Sequence, residues 1–252
     1  MGAVAPADAQ AARLSEARSL LSRATRSWSG RSAGQAWAGE PKVASVPGEQ
    51  VLPVAPALRP LLPDGGLRRG GIVAVRSRAS VSLLLALLAE ASATGSWCAL
   101  VGMPELGLVA AEEAGLVLSR VALVPRPGTD LVAVTAALLD GVELVAVAGA
   151  GRLGAGDRQR LAARARQRGA VLLSLGRWPG ADLEVGGDAG RWRGLGEGGA
   201  GRLRCRQVRV RVGGCGAAHR GRNASVLLPG PTGALSGVRW PAEVPDESRK
   251  AG

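Results

Sequence analysis

GIVAVRSRASVSLLLALLAE, residues 71–90, decides the fold. It opens with a continuous apolar run of strand length, passes through a short polar loop and continues as an apolar helix. Nucleotide-binding proteins keep their phosphate loop between a strand and a helix in this order. A working loop reads G-x-x-x-x-G-K-[ST]. Its glycines let backbone N–H groups wrap the phosphates, its lysine neutralises them and its hydroxyl holds Mg²⁺. The frame falls on Val75, Arg76, Ser77, Arg78, Ala79, Ser80, Val81 and Ser82. Val75 and Ser80 then stand at the glycines and Val81 at the lysine, so only Ser82 fits. A β-branched residue resists the open backbone that glycine supplies. No nucleotide cofactor and no catalytic residue are expected here. Arg76 and Arg78 are flexible surface charges that offer weak anion binding at most.

The same alternation continues outward. WCALVG (97–102), RVALVP (120–125), ELVAVAG (143–149) and AVLLSLG (170–176) read as strands. LVAAEEAGL (108–116), DLVAVTAALLDG (130–141) and DRQRLAARARQRG (157–169) read as helices, the last with Asp157 as N-cap and Gly169 as terminator. The strands are unbroken apolar runs, so both faces of the sheet should be covered. Strand–helix repetition with short connections predicts an α/β fold with a parallel sheet. Beyond Gly176 the style changes to a Gly-rich stretch, then RLRCRQVRVRV (202–212) and ASVLLPG (224–230), which read as antiparallel strands. Arg202, Arg204 and Arg206 have one parity, Arg209 and Arg211 the other; a bulge near Gln207 would gather all five on one face. The expected layout is an amphipathic helix and linker over 1–50, an α/β core over 51–176, a basic β extension over 177–240 and a polar tail over 241–252. The N-terminal helix, with Leu14, Ala17, Leu21 and Ala24 at helical spacing, is a candidate either for covering a sheet edge or for self-association.

Hydrophobic residues make up 46% of the 252, with no Phe or Tyr, so the core must be built from Leu, Val and Ala. Net charge is +12 and is segregated: residues 1–149 carry 13 basic and 12 acidic side chains, residues 150–222 carry 16 and 5. A basic segment calls for a polyanion or an acidic protein partner. Two surfaces are candidates: the helix face of Arg160, Arg164 and Arg168, and the arginine strand 202–212. Trp178 and Trp192 lie outside that strand, so DNA binding is expected to be weak and non-specific, without stacking on bases. Val226 and Leu228 are candidate anchors for a protein partner added along a strand edge. Cys98, Cys205, Cys215 and a single histidine, His219, predict neither a disulfide framework nor a metal site. No apolar run reaches the roughly 20 residues that span a bilayer, and a cytoplasmic protein is expected.

LLPDGGLRRGGIVAV (61–75) resembles the approach to the phosphate loop in RecA-family cores. By that resemblance the next strand should end in a carboxylate, where Pro104 stands with Glu105 one place off. A later strand should end in an Mg²⁺-organising Asp, where Ala148 and Gly149 stand. GSWCALVGMPELGLVAAEEAGL (95–116), RQRLAARARQRGAVLL (158–173), the RWRGLG segment (191–196) and the LPGP turn (228–231) further resemble the ImuA family, over roughly residues 51–235. That resemblance implies a non-catalytic accessory role in SOS-induced error-prone translesion synthesis, with the Y-family-like ImuB and an error-prone C-family polymerase as partners. It also implies association with the nucleoid after DNA damage. SulA-type cell-division inhibitors share the degenerate core but lack the long basic extension; a residual ATP-binding protein is the other alternative.

Overall fold

The computed structural model describes residues 50–77, 80–195, 201–214 and 221–237. The N-terminal helix, Arg78, Ala79, Cys215, His219 and the tail lie outside them. A short antiparallel hairpin, β1 (Val51–Pro53) and β2 (Gly66–Arg68), leads into β3 (Ile72–Ser77) and α1 (Ser80–Ala93). Then follow β4 (Cys98–Val101), α2 (Leu108–Glu113), β5 (Val121–Val124), α3 (Leu131–Gly141), β6 (Leu144–Ala148), α4 (Ala155–Arg168) and β7 (Val171–Leu175). Five further strands complete the chain: β8 (Leu183–Gly187), β9 (Arg191–Leu195), β10 (Gly201–Gly214), β11 (Arg222–Leu227) and β12 (Ser236–Gly237).

One 10-stranded sheet joins all of these except the first hairpin, in the order β12-β11-β10-β8-β3-β7-β6-β4-β5, with β9 pairing beside β8 on β10. From β8 to β5 all neighbours are parallel; from β10 outward they are antiparallel. The fold is therefore α/β and RecA-like, with antiparallel strands at the C-terminal side. The apolar runs explain themselves through alternation. Val73, Val75, Leu100, Leu144 and Leu173 pack on one face under α1, while Ile72, Ala74, Val101, Val145 and Leu172 pack on the other under α3 and α4. Leu83 to Leu88 of α1 are buried without exception, as befits a helix apolar all round. Each such leucine contributes about 1.5–3 kcal/mol by leaving water. Leu161, Ala162 and Ala165 form the buried side of α4, as its periodicity predicts.

Several expectations need correction. The sheet does not stop at Gly176: β8 lies parallel to β3, and Val208, Val210, Val212, Val226 and Leu228 belong to the same core as α1. The basic extension is thus part of the core sheet. Val226 and Leu228 are 1% exposed, and β12 pairs with β11 at Val226 and Leu227, so neither side chain is free to anchor a partner. The N-cap of α4 is Gly154; Asp157 lies in the first turn, where its carboxylate favours the positive end of the helix. No bulge sits at Gln207, because Gln207 to Val212 pair with β11 in unbroken register. The irregularity falls instead between Gly201 and Cys205, against β9. Arg206 consequently shares a face with the core valines, and Arg209 and Arg211 point the other way.

Candidate functional site

The carboxyl ends of β4, β6 and β7 converge on a cleft of about 360 Å³. In open α/β sheets this end, where successive connections leave in opposite directions, is the usual place for ligands. Here β3 connects onward toward β4 while β7 connects back past β3 to β8, so the two neighbouring strands mark such a point. The start of α1 supplies Val81, Ser82 and Leu85; the loop after β4 supplies Met103, Pro104, Glu105 and Leu106. Ala148 and Leu175 close the floor, and Leu228, Pro229 and Gly233 form the far wall. That wall presses against α2: Gly233 has φ +92°, and a Cβ there would stand 2.8 Å from Glu113 Cβ. Only glycine allows this approach.

The cleft collects the degenerate positions found in the sequence. Ser82, Pro104, Glu105 and Ala148 all line it, so the frame laid on the sequence points to one place in space. Its walls are mainly apolar, and its charged lining is Glu105 and Glu113, both acidic. Among the described residues no arginine or lysine lines it. Arg76 is turned to Glu184 across the neighbouring strand, 3.6 Å away. Ser77 donates to the Gly187 carbonyl at 3.0 Å. Val81, Leu108 and Val109, at 40%, 45% and 70% exposure, carry the apolar character onto the surface beside the cleft. Among the described residues no group of three or more His, Cys, Asp or Glu is placed to hold a metal ion.

The arginines sort into three environments. On α4, Arg164 and Arg168 both reach Asp140 of α3: Arg164 Nε donates at 2.8 Å and Arg168 Nε at 3.0 Å, and Arg164 also bonds the second carboxylate oxygen. The hydrogen bond from Arg164 is the main reason the Asp140 carboxyl sits below its ordinary range. Arg160 alone of that predicted face projects outward, 3.6 Å from Asp157. The helix face thus acts largely as a clamp between α3 and α4. Arg206 is half-buried; its Nε donates to the Leu228 carbonyl at 2.9 Å, and burial holds its pKa below the usual arginine value. Arg202, Arg204, Arg209 and Arg211 are exposed along β10.

One strand beside the predicted arginine strand was missed by sequence reasoning. β9 reads RWRGL, without apolar alternation, yet it pairs with β10 so that Trp192 lies opposite Arg206. The guanidinium sits over the indole, 5.3 Å from the ring centroid. The alternation of tryptophan with arginine along β9 was the available signal. Cys98 is an inert core residue; burial first, and then the charge of Glu143, push its thiol up to about 12. Among the described residues no helix is long and apolar enough to cross a membrane.

Residues 60–180 match the family described as the MT3502 N-terminal domain. Over 117 residues the chain is 46% identical to the protein printed as "Uncharacterized protein Rv3395c" of Mycobacterium tuberculosis, an alignment covering 46% of this chain and 57% of that one. The chain thus spans a little over half the length of this curated relative. The family match begins just before β2 and ends before β8, and so takes in most of the cleft but not the β9–β10 ribbon.

Proposed function

We propose that this chain is a non-catalytic accessory protein of SOS-induced error-prone translesion DNA synthesis, holding ImuB and through it an error-prone C-family polymerase. The chemistry of the cleft wall carries the reading. A triphosphate entering there would exchange water for Val81, Leu85, Met103 and Leu175 and would meet Glu105 and Glu113. Removing an ion from water costs several kcal/mol unless an opposite charge meets it, and like charges add to that cost. The wall suits instead a protein segment with apolar anchors flanked by basic side chains. We assign that segment to ImuB. The partner's identity comes from the ImuA resemblance, and the charge and shape of the cleft supply the contact.

Co-purification of the tagged full-length chain with ImuB tests this. Val81 is exposed at the rim, so Val81→Asp leaves the core intact. It should cut ImuB capture about tenfold or more, as loss of a central anchor does, with an unchanged melting temperature. Undiminished capture would remove the cleft from the interface. ATP retained by the wild-type chain and lost on Ser82→Ala would replace this reading with a nucleotide-binding one. Filamentation of cells through direct contact with the division machinery would replace it with a SulA-type one.

A further inference from the structure

We infer that the β9–β10 ribbon is a binding site for single-stranded nucleic acid, with Trp192 as the platform on which a base stacks. The inference goes beyond the accessory role and does not need the cleft. Between Ala189 and Leu195 and between Gly201 and Gly214 the described ribbon carries seven arginines and no carboxylate. All five residues of β9 are exposed, Trp192 at 45%. A tryptophan this exposed within a basic strand pair belongs to neither hydrophobic core. Stacked on a base, it would lose apolar surface to a flat partner of its own shape.

The local geometry presents the ring. Arg206 is fixed from below by its bond to the Leu228 carbonyl, and Leu228 is core. The indole rests on that guanidinium and remains 45% exposed. A stacking platform that is already immobilised loses little side-chain entropy on binding. Where the pairing shifts between Gly201 and Cys205, a Cβ at Gly194 would lie 2.2 Å from the Arg202 carbonyl oxygen and 3.0 Å from Arg204 Cγ. The absence of a side chain at Gly194 therefore lets Arg204 lie close against β9, two residues along from Trp192. The ribbon thus offers an exposed ring near an exposed guanidinium, the pairing that takes one base and its neighbouring phosphate. Arg191, Arg209 and Arg211, on the face opposite Trp192, extend the positive field around the edge.

A base is reached this way only when it is unpaired; in a duplex it is already stacked. The preference for single strands thus separates this site from simple phosphate attraction. The test is fluorescence anisotropy of the full-length chain with labelled oligo(dT), oligo(U) and a duplex of equal length. Single strands should bind more tightly than duplex, with Kd of about 10⁻⁴–10⁻⁶ M or below at physiological salt. Whichever oligonucleotide binds more tightly names the source as DNA or RNA. Trp192→Ala should weaken single-strand binding on the order of tenfold and bring it to the duplex level without changing the salt slope. Trp192→Phe should restore most of the loss, since a phenyl ring also stacks. Arg204→Gln should lower the salt slope by about 1. Equal binding by Trp192→Ala and wild type overturns the proposal, as does duplex binding as tight as single-strand binding. Displacement of the oligonucleotide by polyglutamate of the same charge would mark an acidic-protein surface and overturn it too. ImuB capture by Trp192→Ala should stay at the wild-type level, so failure of this site and failure of the accessory role are told apart.

Discussion

The cleft above β4, β6 and β7 and the β9–β10 ribbon have moved in opposite electrostatic directions. The cleft stands where a RecA-like core would hold a polyanion, yet valine and two glutamates line it. The ribbon hangs from the antiparallel side of the sheet and gathers arginine around an exposed tryptophan. Both are carried by one continuous sheet whose central parallel strands are buried on two faces and whose outer antiparallel strands are exposed on one. The difference teaches that the architecture depends on the apolar runs and is indifferent to the chemistry at its rim. Val81, where a phosphate loop would carry lysine, stands in the first turn of α1 beside an unbroken parallel sheet. On the two proposals above, polyanions would be drawn to the edge of this sheet, and the crevice at the strand ends would be left to apolar contact.

The sharpest way to break the comparison is to remove the ribbon with its supporting strands. Sequence alone makes residues 202–252 look separable from the core. In the structure a chain ending at Gly201 loses β10 and β11 and uncovers β8 along its whole length. Val185 and Leu183 would then face water. The truncated chain should lose its cooperative thermal transition, and a sharp transition near the wild-type temperature would show that the ribbon is an appendage after all. A milder pair of substitutions compares the regions residue by residue. Leu88→Ala, wholly buried in α1, should cost about 2–5 kcal/mol. Leu203→Ala, 49% exposed on β10, should change stability by about 0.5 kcal/mol or less. Chemical denaturation with both variants and the wild type measures the two.

What the sequence reveals follows the same division. GIVAV, WCALV and ELVAV are legible as strands because burial on both faces demands unbroken apolar runs, and their order fixes the parallel sheet. The failed phosphate loop is legible because its chemistry tolerates few residue types. β8 was not legible: LEVGG alternates Leu183 and Val185 with an exposed Glu184 and ends in glycines, which reads as loop. The far wall of the cleft was hidden for another reason. Gly233 meets Glu113 across some 120 residues, and no local pattern announces such a contact. Trp192 over Arg206 depends on a strand pairing across a register shift, which periodicity cannot deliver. Arg160, Arg164 and Arg168 show the limit most plainly. Their spacing correctly places them along a helix, but the carboxylate that claims two of them lies on another helix, 24 and 28 residues away.

That carboxylate gives the smallest and most specific prediction. Asp140 accepts from Arg164 and Arg168, whose side chains are 42% and 47% exposed, so solvent screens the attraction heavily. Asp140→Asn should destabilise the chain by about 1 kcal/mol at neutral pH and less at high salt. The pH dependence has a definite sign. The folded pKa of Asp140 lies below its ordinary 3.8, so its contribution is complete above that value and fades as pH falls through the folded one. The gap between wild type and Asp140→Asn should therefore close in acid, followed by melting temperature between neutral pH and about pH 2. The same substitution removes a carboxylate and loosens its hold on Arg164, so retention on heparin should rise while stability falls. If retention stays constant, the bond between Asp140 and Arg164 is not what keeps α4 from attracting polyanions.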